Sequence, residues 1–256
     1  MIRPATATLV AALGLSAALA LPASAGADAT GGTAAPGAGT SSAATTSGAS
    51  GGGSPTASAA PSPGSTLRAA TAALAGRWQR VTGTLMGAGA GSTVLLQRTD
   101  GRSGWTTVAQ VPAGRGGSFA VSWRPSQVGR QTLRAVSPTG AAAARSAASS
   151  PTVPLTVYAS AIATQFGPGF YNQRTACGVV LTPRTVGVAH TTLPCGTLVE
   201  FYYRGRTIRA PVIDRGPYAN NATWDLTTGA AVALRFDGFG YVGSLRVGRV
   251  SLSRAG

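Results

Sequence analysis

The sequence contains no lysine. Its 21 basic residues are all arginine, set against six acidic residues, for a formal net charge of +15 in 256 residues. It has one histidine, His190, two cysteines, Cys177 and Cys195, and aromatic residues make up only 6% of the chain. Each shortage excludes something. The arginines are scattered and few aromatics lie among them, which argues against nucleic acid, since that partner calls for a concentrated basic patch or a stacking platform. The charge balance still calls for a polyanionic neighbour such as anionic lipid or acidic wall polymers, although a GC-rich genome explains the arginine usage equally well. Two cysteines and one histidine make a poor ligand set for zinc, so neither a metal nor a cofactor is expected. In an oxidising compartment the two cysteines permit a single pairing, Cys177 with Cys195. That bridge would close a loop of about 18 residues and contribute about 3 kcal/mol in the chain-entropy model. Carboxylates are scarce too: the last hundred residues hold only Glu200, Asp214, Asp225 and Asp237.

The N-terminus bears on the compartment. Arg3 precedes an uncharged, mostly apolar run over residues 5–21, followed by Pro22 and Ala23-Ser24-Ala25. A basic start, a short apolar core and a small-x-small ending read as a secretory signal peptide over 1–25. The run is short for a membrane span of ~20 residues and ends at proline, so no stable membrane anchor is expected. No cysteine stands near its end to take a lipid. The expected location is therefore secreted and cell-wall associated. Residues 26–66 are almost entirely Gly, Ala, Ser, Thr and Pro. Such a stretch cannot bury enough apolar surface to offset chain entropy, and it is read as a disordered linker. As a flexible coil it would span roughly 35 Å root-mean-square, serving as tether, glycosylated stalk or spacer.

From 67 to 157 the pattern shifts to period two. Val81, Gly83 and Leu85 alternate, as do Phe119, Val121 and Trp123, and Leu133 with Ala135. Asp100-Gly101 between 93–98 and 105–111 signals a hairpin. Six or seven short strands predict an immunoglobulin-like β-sandwich without a residue cluster suited to chemistry. Residues 140–150 read as a loop or a short helix. From 158 to 252 short strand-like runs recur at 159–165, 198–203, 207–213 and 244–252. One helix is expected, with Thr227 or Thr228 as its N-cap and 230–234 as its apolar body. The whole is mainly β.

Four motifs within 158–250 carry a family resemblance. They are Phe166-Gly167 to Phe170 with Arg174-Thr175-Ala176-Cys177-Gly178; Ala189-His190-Thr191-Thr192-Leu193-Pro194 with Gly196-Thr197; Ile213-Asp214-Arg215-Gly216-Pro217-Tyr218; and Trp224-Asp225-Leu226-Thr227. In this order and spacing they resemble the RlpA-like double-psi β-barrels. That family includes septal lytic transglycosylases acting on peptide-free glycan strands of peptidoglycan, and its barrel is similar to that of expansins. The resemblance implies a C-terminal double-psi β-barrel and a catalytic pair on His190 and Asp214. It also implies a third position, Asp225, where the expansin barrel carries an aspartate. The sequence departs from both patterns: Thr223 stands where expansins carry a histidine, and Ile213 replaces the asparagine usual before the Asp-Arg-Gly-Pro run. The lipid anchor and C-terminal glycan-binding repeats of some members are also not seen.

Hydrolysis of a glycosidic bond usually needs two carboxylates. A lytic transglycosylase needs less, because the sugar's own 6-hydroxyl attacks the anomeric carbon and one group serves first as acid and then as base. Asp214 is the expected acid, provided burial lifts it from ~3.9, with His190 in the same open groove. A structural role for Asp214 in the Gly216-Pro217 turn, and for Asp225 in capping the helix, stands beside these readings. Tyr171, Tyr218 and Trp224 are candidates to stack on sugar rings or to pack the barrel, and Arg215 is a further expected substrate contact. The expected partners are peptidoglycan glycan strands or other acidic wall polymers; the rival reading is a non-catalytic wall-binding or wall-loosening module. The sequence carries no signal for an oligomeric state.

Overall fold

The computed structural model describes residues 60–138 and 148–252. The signal peptide, most of the 26–66 linker and most of 140–150 lie outside the described residues. Alternating apolar positions become the strands β1 (Thr66–Arg68), β2 (Ala72–Leu74), β3 (Gln79–Thr84), β4 (Thr93–Thr99), β5 (Thr106–Pro112), β6 (Ser118–Trp123), β7 (Gly129–Ser137), β8 (Ala148–Ser149) and β9 (Val153–Phe166). They continue as β10 (Val188–Ala189), β11 (Thr197–Tyr203), β12 (Arg206–Asp214) and β13 (Trp224–Thr227). Helix α1 (Thr228–Leu234) and β14 (Gly240–Arg249) follow.

In the N-terminal half, β6 shows the rule: Phe119, Val121 and Trp123 are buried while the residues between them are exposed. Strands β1, β3 and β6 form one sheet, and β5, β4, β7 and β9 run side by side in another. Leu67, Val81, Phe119 and Val121 from the first sheet share a core with Val94, Leu96, Leu133 and Leu155 from the second. Each such side chain stabilises the fold by about 1.5–3 kcal/mol when fully buried. β4 and β5 pair antiparallel as expected, but residues 100–105 make a longer loop than a two-residue turn. Its first turn is closed by Asp100 Oδ1, which accepts from the Arg102 and Ser103 amides at 2.9 and 3.0 Å.

In the C-terminal half, six strands follow the order β13-β10-β12-β11-β14-β9, and β13 pairs back onto β9 to close a barrel. The β10–β12 and β13–β9 pairings are parallel and the rest antiparallel. Val199, Phe201, Val212, Leu226 and Val242 fill the interior, with Leu234 of α1 against them. Thr227 caps that helix, its hydroxyl accepting from the Ala230 amide at 3.2 Å. Asp225, two residues earlier, lies inside β13 and caps nothing.

The two halves share a strand. β9 pairs with β7 up to Val157 and with β14 from Ala159 onward, so the boundary expected between 157 and 158 falls inside one continuous strand. Tyr158 stacks on Tyr202 with ring centroids 5.2 Å apart and donates its hydroxyl to Glu200 Oε1 at 2.9 Å. Glu200 Oε2 takes Arg209 Nε at 3.0 Å and Arg130 Nη2 of β7 at 3.3 Å. At Gly243 a Cβ would come within 2.7 Å of both Leu74 and Tyr158, so the close approach of β14 to β2 and β9 requires glycine there.

Candidate functional site

The short strand β10 sits between β12 and β13, and its Ala189 is the register partner of Asp214 on one side and Asp225 on the other. From Val188↔Val212 to Ala189↔Asp214 the register skips Ile213, a bulge of the kind that re-aims the residue after it. Two carboxylates thus flank one small residue on neighbouring strands. Asp214 Oδ1 accepts from the amides of Ala176 at 2.9 Å and Arg215 at 2.8 Å. Asp225 Oδ1 accepts from the Thr164 hydroxyl of β9 at 2.7 Å. Burial pushes Asp225 above the usual aspartate value; the Thr164 bond opposes this, and the neighbouring Asp214 charge adds to it. Asp225 lines an open cavity of ≈310 Å³ with Thr164, Arg215 and Tyr218. Tyr218 is 82% exposed there.

The histidine lies elsewhere. Alternation along a strand sends successive side chains to opposite faces, and His190 follows Ala189. Its ring packs on Trp224 at 4.6 Å between centroids, and both residues line a second cavity of ≈580 Å³ that shares no residue with the first. His190 Nδ1 accepts from the Thr192 and Leu193 amides, each at 3.1 Å. Burial, with the Arg215 and Arg246 charges, lowers its pKa. With Nδ1 accepting from two amides, the ring proton lies on Nε2. No hydrogen bond joins it to the Asp214 side chain; the two meet only through the His190 amide and the Asp214 carbonyl at 3.2 Å. The expected common groove for imidazole and carboxylate is thus replaced by a carboxylate pair on one side and an imidazole–indole pair on the other.

Arg215, expected at substrate, lines the Asp225 cavity and also ties the end of β12 to the His190 loop. Its Nη1 donates to the carbonyls of Leu193 at 3.0 Å, Asp214 at 3.3 Å and His190 at 3.4 Å. The Cys177–Cys195 disulfide ties a third segment to the His190 loop: Cys177 follows the Ala176 amide that holds Asp214, and Cys195 ends the His190 loop. Trp224 is 4% exposed and meets Phe201 edge-on at 5.0 Å, so it packs the barrel rather than offering a face to sugar. Tyr171 ties its loop to α1 through Thr228 Oγ1 at 2.9 Å. Thr164 is the residue that sequence reasoning missed; only its place beside Asp225 in the β9–β13 register identifies it. Among the described residues no group of three or more His, Cys, Asp or Glu side chains is arranged to hold a metal ion, and no helix is long and apolar enough to cross a membrane.

A closed six-stranded barrel with two parallel pairings and a short helix between its last strands defines a double-psi β-barrel. Residues 163–244 match the family described as lytic transglycolase. The chain carries an RlpA-like double-psi β-barrel over this stretch. Over 75 residues it is 37% identical to the endolytic peptidoglycan transglycosylase RlpA of Campylobacter jejuni, which covers 28% of this chain and 27% of that protein. It is 39% identical over 75 residues to the probable endolytic peptidoglycan transglycosylase RlpA of a Synechocystis species, covering 28% and 23%. The match thus spans about a quarter of the length of these curated relatives. Among solved structures, the Streptomyces papain inhibitor is similar at 28% identity, covering 34% of this chain and 93% of that one with a TM-score of 0.27.

Proposed function

We propose that this is a secreted, wall-associated protein whose barrel cleaves peptidoglycan glycan strands as a lytic transglycosylase, with Asp225 and Asp214 as the reacting pair. The observation that carries it is the carboxylate pair across Ala189, one member raised by burial and by its neighbour's charge and opening to a cavity beside Tyr218. Pairs of titratable groups with unlike surroundings divide acid and base work between them. Protonated Asp225 gives its proton to the glycosidic oxygen as that bond breaks. The muramoyl C6 hydroxyl attacks the anomeric carbon, closing the 1,6-anhydro ring, and a carboxylate of the pair takes the hydroxyl proton. No water enters and no second substrate is needed. His190, on the other side of the strand, orients substrate rather than sharing the proton. The N-terminal sheets, of immunoglobulin-like sandwich type, precede the barrel in the chain.

A binding-only, wall-loosening reading is favoured by one observation: His190 and Asp214, which the family resemblance pairs, do not meet through their side chains. Incubation of the full chain with peptide-free glycan strands separates the two. The transglycosylase reading expects 1,6-anhydromuramic ends by mass spectrometry. Intact strands that nevertheless sediment with the protein on purified walls would leave the binding reading in place.

A further inference from the structure

The cavity lined by His190 and Trp224 does not end at the barrel. Val128, at the turn before β7, forms part of its wall, together with Leu245 and Arg246 of β14. The same three residues also line a neighbouring cavity of ≈430 Å³, where Arg102, Arg130 and Gln131 come from the N-terminal half. The two cavities therefore meet along Val128, Leu245 and Arg246 and form one groove across the junction. β9 runs unbroken through that junction and Arg130 is clamped on Glu200, so the two walls are held in register.

Its lining is chemically one-sided. Arg102 and Arg246 form no ion pair among the described residues, while Arg130 keeps most of its side chain exposed despite its bond to Glu200. Asp100, beside Arg102, is the one carboxylate in the wall. His190 presents Nε2–H, because its Nδ1 is already taken by two amides. Among the described residues, two buried side-chain polar atoms have no partner: Trp224 Nε1 and Gln131 Oε1. Both belong to residues that line this groove, one in each of its cavities. Both atoms are closed to solvent, so they pack the walls of the groove and do not face a ligand in it.

We infer that the junction of the two β-halves is a second binding site, taking an acidic polysaccharide strand: Arg102 and Arg246 contact its anionic groups, while His190 Nε2–H meets its hydroxyl or acetamido oxygens. Cations meet carboxylate or phosphate, and the imidazole N–H meets sugar or acetamido oxygens. The N-terminal half is then part of the substrate-reading surface rather than a spacer. This extends the proposed reading, on which the choice of a wall polymer rests.

The test measures binding by the full chain in an Asp225→Asn background, which removes cleavage from the measurement. Three probes are titrated: peptide-free glycan strands bearing lactyl carboxylates, a glycerol-phosphate polymer, and neutral chitohexaose. The double variant Arg102→Ala/Arg246→Ala should weaken the carboxylate strand, the phosphate polymer or both about ten-fold at low salt, as expected for two charge contacts. It should leave chitohexaose within about two-fold and the melting temperature unchanged. Which acidic probe binds identifies the source of the anion. Val128→Trp, a surface change at the meeting of the two cavities, should weaken every probe that binds. Unchanged acidic-strand binding in the double variant overturns the inference, as does wild-type protein that binds neither acidic probe. If wild type makes no anhydromuramic ends yet loses acidic binding with the arginines, the cleavage reading fails and the groove stands.

Discussion

On the Asp214–Asp225 side of β10, each carboxylate is held by donors: two backbone amides for one and a threonine hydroxyl for the other. On the His190–Trp224 side two backbone amides likewise hold the imidazole, but the buried indole N–H is left unpaired. One strand two residues long thus separates a surface suited to moving a proton from one suited to receiving acceptors and anions. Motif spacing places all four residues within 36 positions of chain, yet alternation of side chains decides which of them work together.

The sharpest way to break this comparison is Asp225→Asn. If the raised carboxyl is the acid, the change should lower kcat by about 10²–10⁴ with little effect on KM. Wild-type activity should also decline as pH rises through the raised value of Asp225, because the acid form is then lost; a pH–rate profile checks both. Next in size is the disulfide. Cys177→Ser with Cys195→Ser should lower stability by about 3 kcal/mol, and it should lower activity as well, because the bridge holds the Ala176 amide against Asp214. Thermal melting and kinetics on one sample separate the two effects.

The Glu200 cluster offers a third test. Burial pushes the Glu200 carboxyl up, but the Tyr158 and Arg209 hydrogen bonds and the Arg130 and Arg209 charges outweigh it, and its pKa is lowered from 4.5. Burial and that same carboxylate push Tyr158 up to about 12. A carboxylate lowered in the folded state stabilises fully above its unfolded value and loses that contribution as pH falls through its folded one. Stability should therefore drop on acidification below about 4.5, and Glu200→Gln should remove this dependence at a cost of about 1.5–3 kcal/mol. Denaturant titrations across that range measure it. The smallest effect is expected from His190→Ala: a KM increase of several-fold, about 1 kcal/mol, with kcat retained.

Much of the barrel was legible because its determinants are local. The glycine- and proline-punctuated motifs, the Thr227 cap and the cysteine pairing depend on neighbours in sequence or on there being only one partner. The site was only half legible. Asp214 and Asp225 both stand among the candidate residues, but their shared neighbour Ala189 depends on a parallel pairing and on a bulge at Ile213, neither of which leaves a periodic trace. The alternative of a capping role for Asp225 gives way to the expected Thr227 cap, whose hydroxyl accepts from the Ala230 amide. Arg215 lines the Asp225 cavity, but its bonds to the His190-loop carbonyls leave no trace in the sequence. The continuity of β9 was hidden for a similar reason: 153–157 and 159–165 each read as a strand, and nothing between them signals whether the chain turns.

The most direct measurement counts 1,6-anhydromuramic ends released from peptide-free glycan strands by wild type, Asp225→Asn and His190→Ala at equal, saturating substrate. The account predicts product from wild type and His190→Ala and essentially none from Asp225→Asn. Product from Asp225→Asn at the wild-type rate, with His190→Ala silent, would contradict it and return the chemistry to the imidazole.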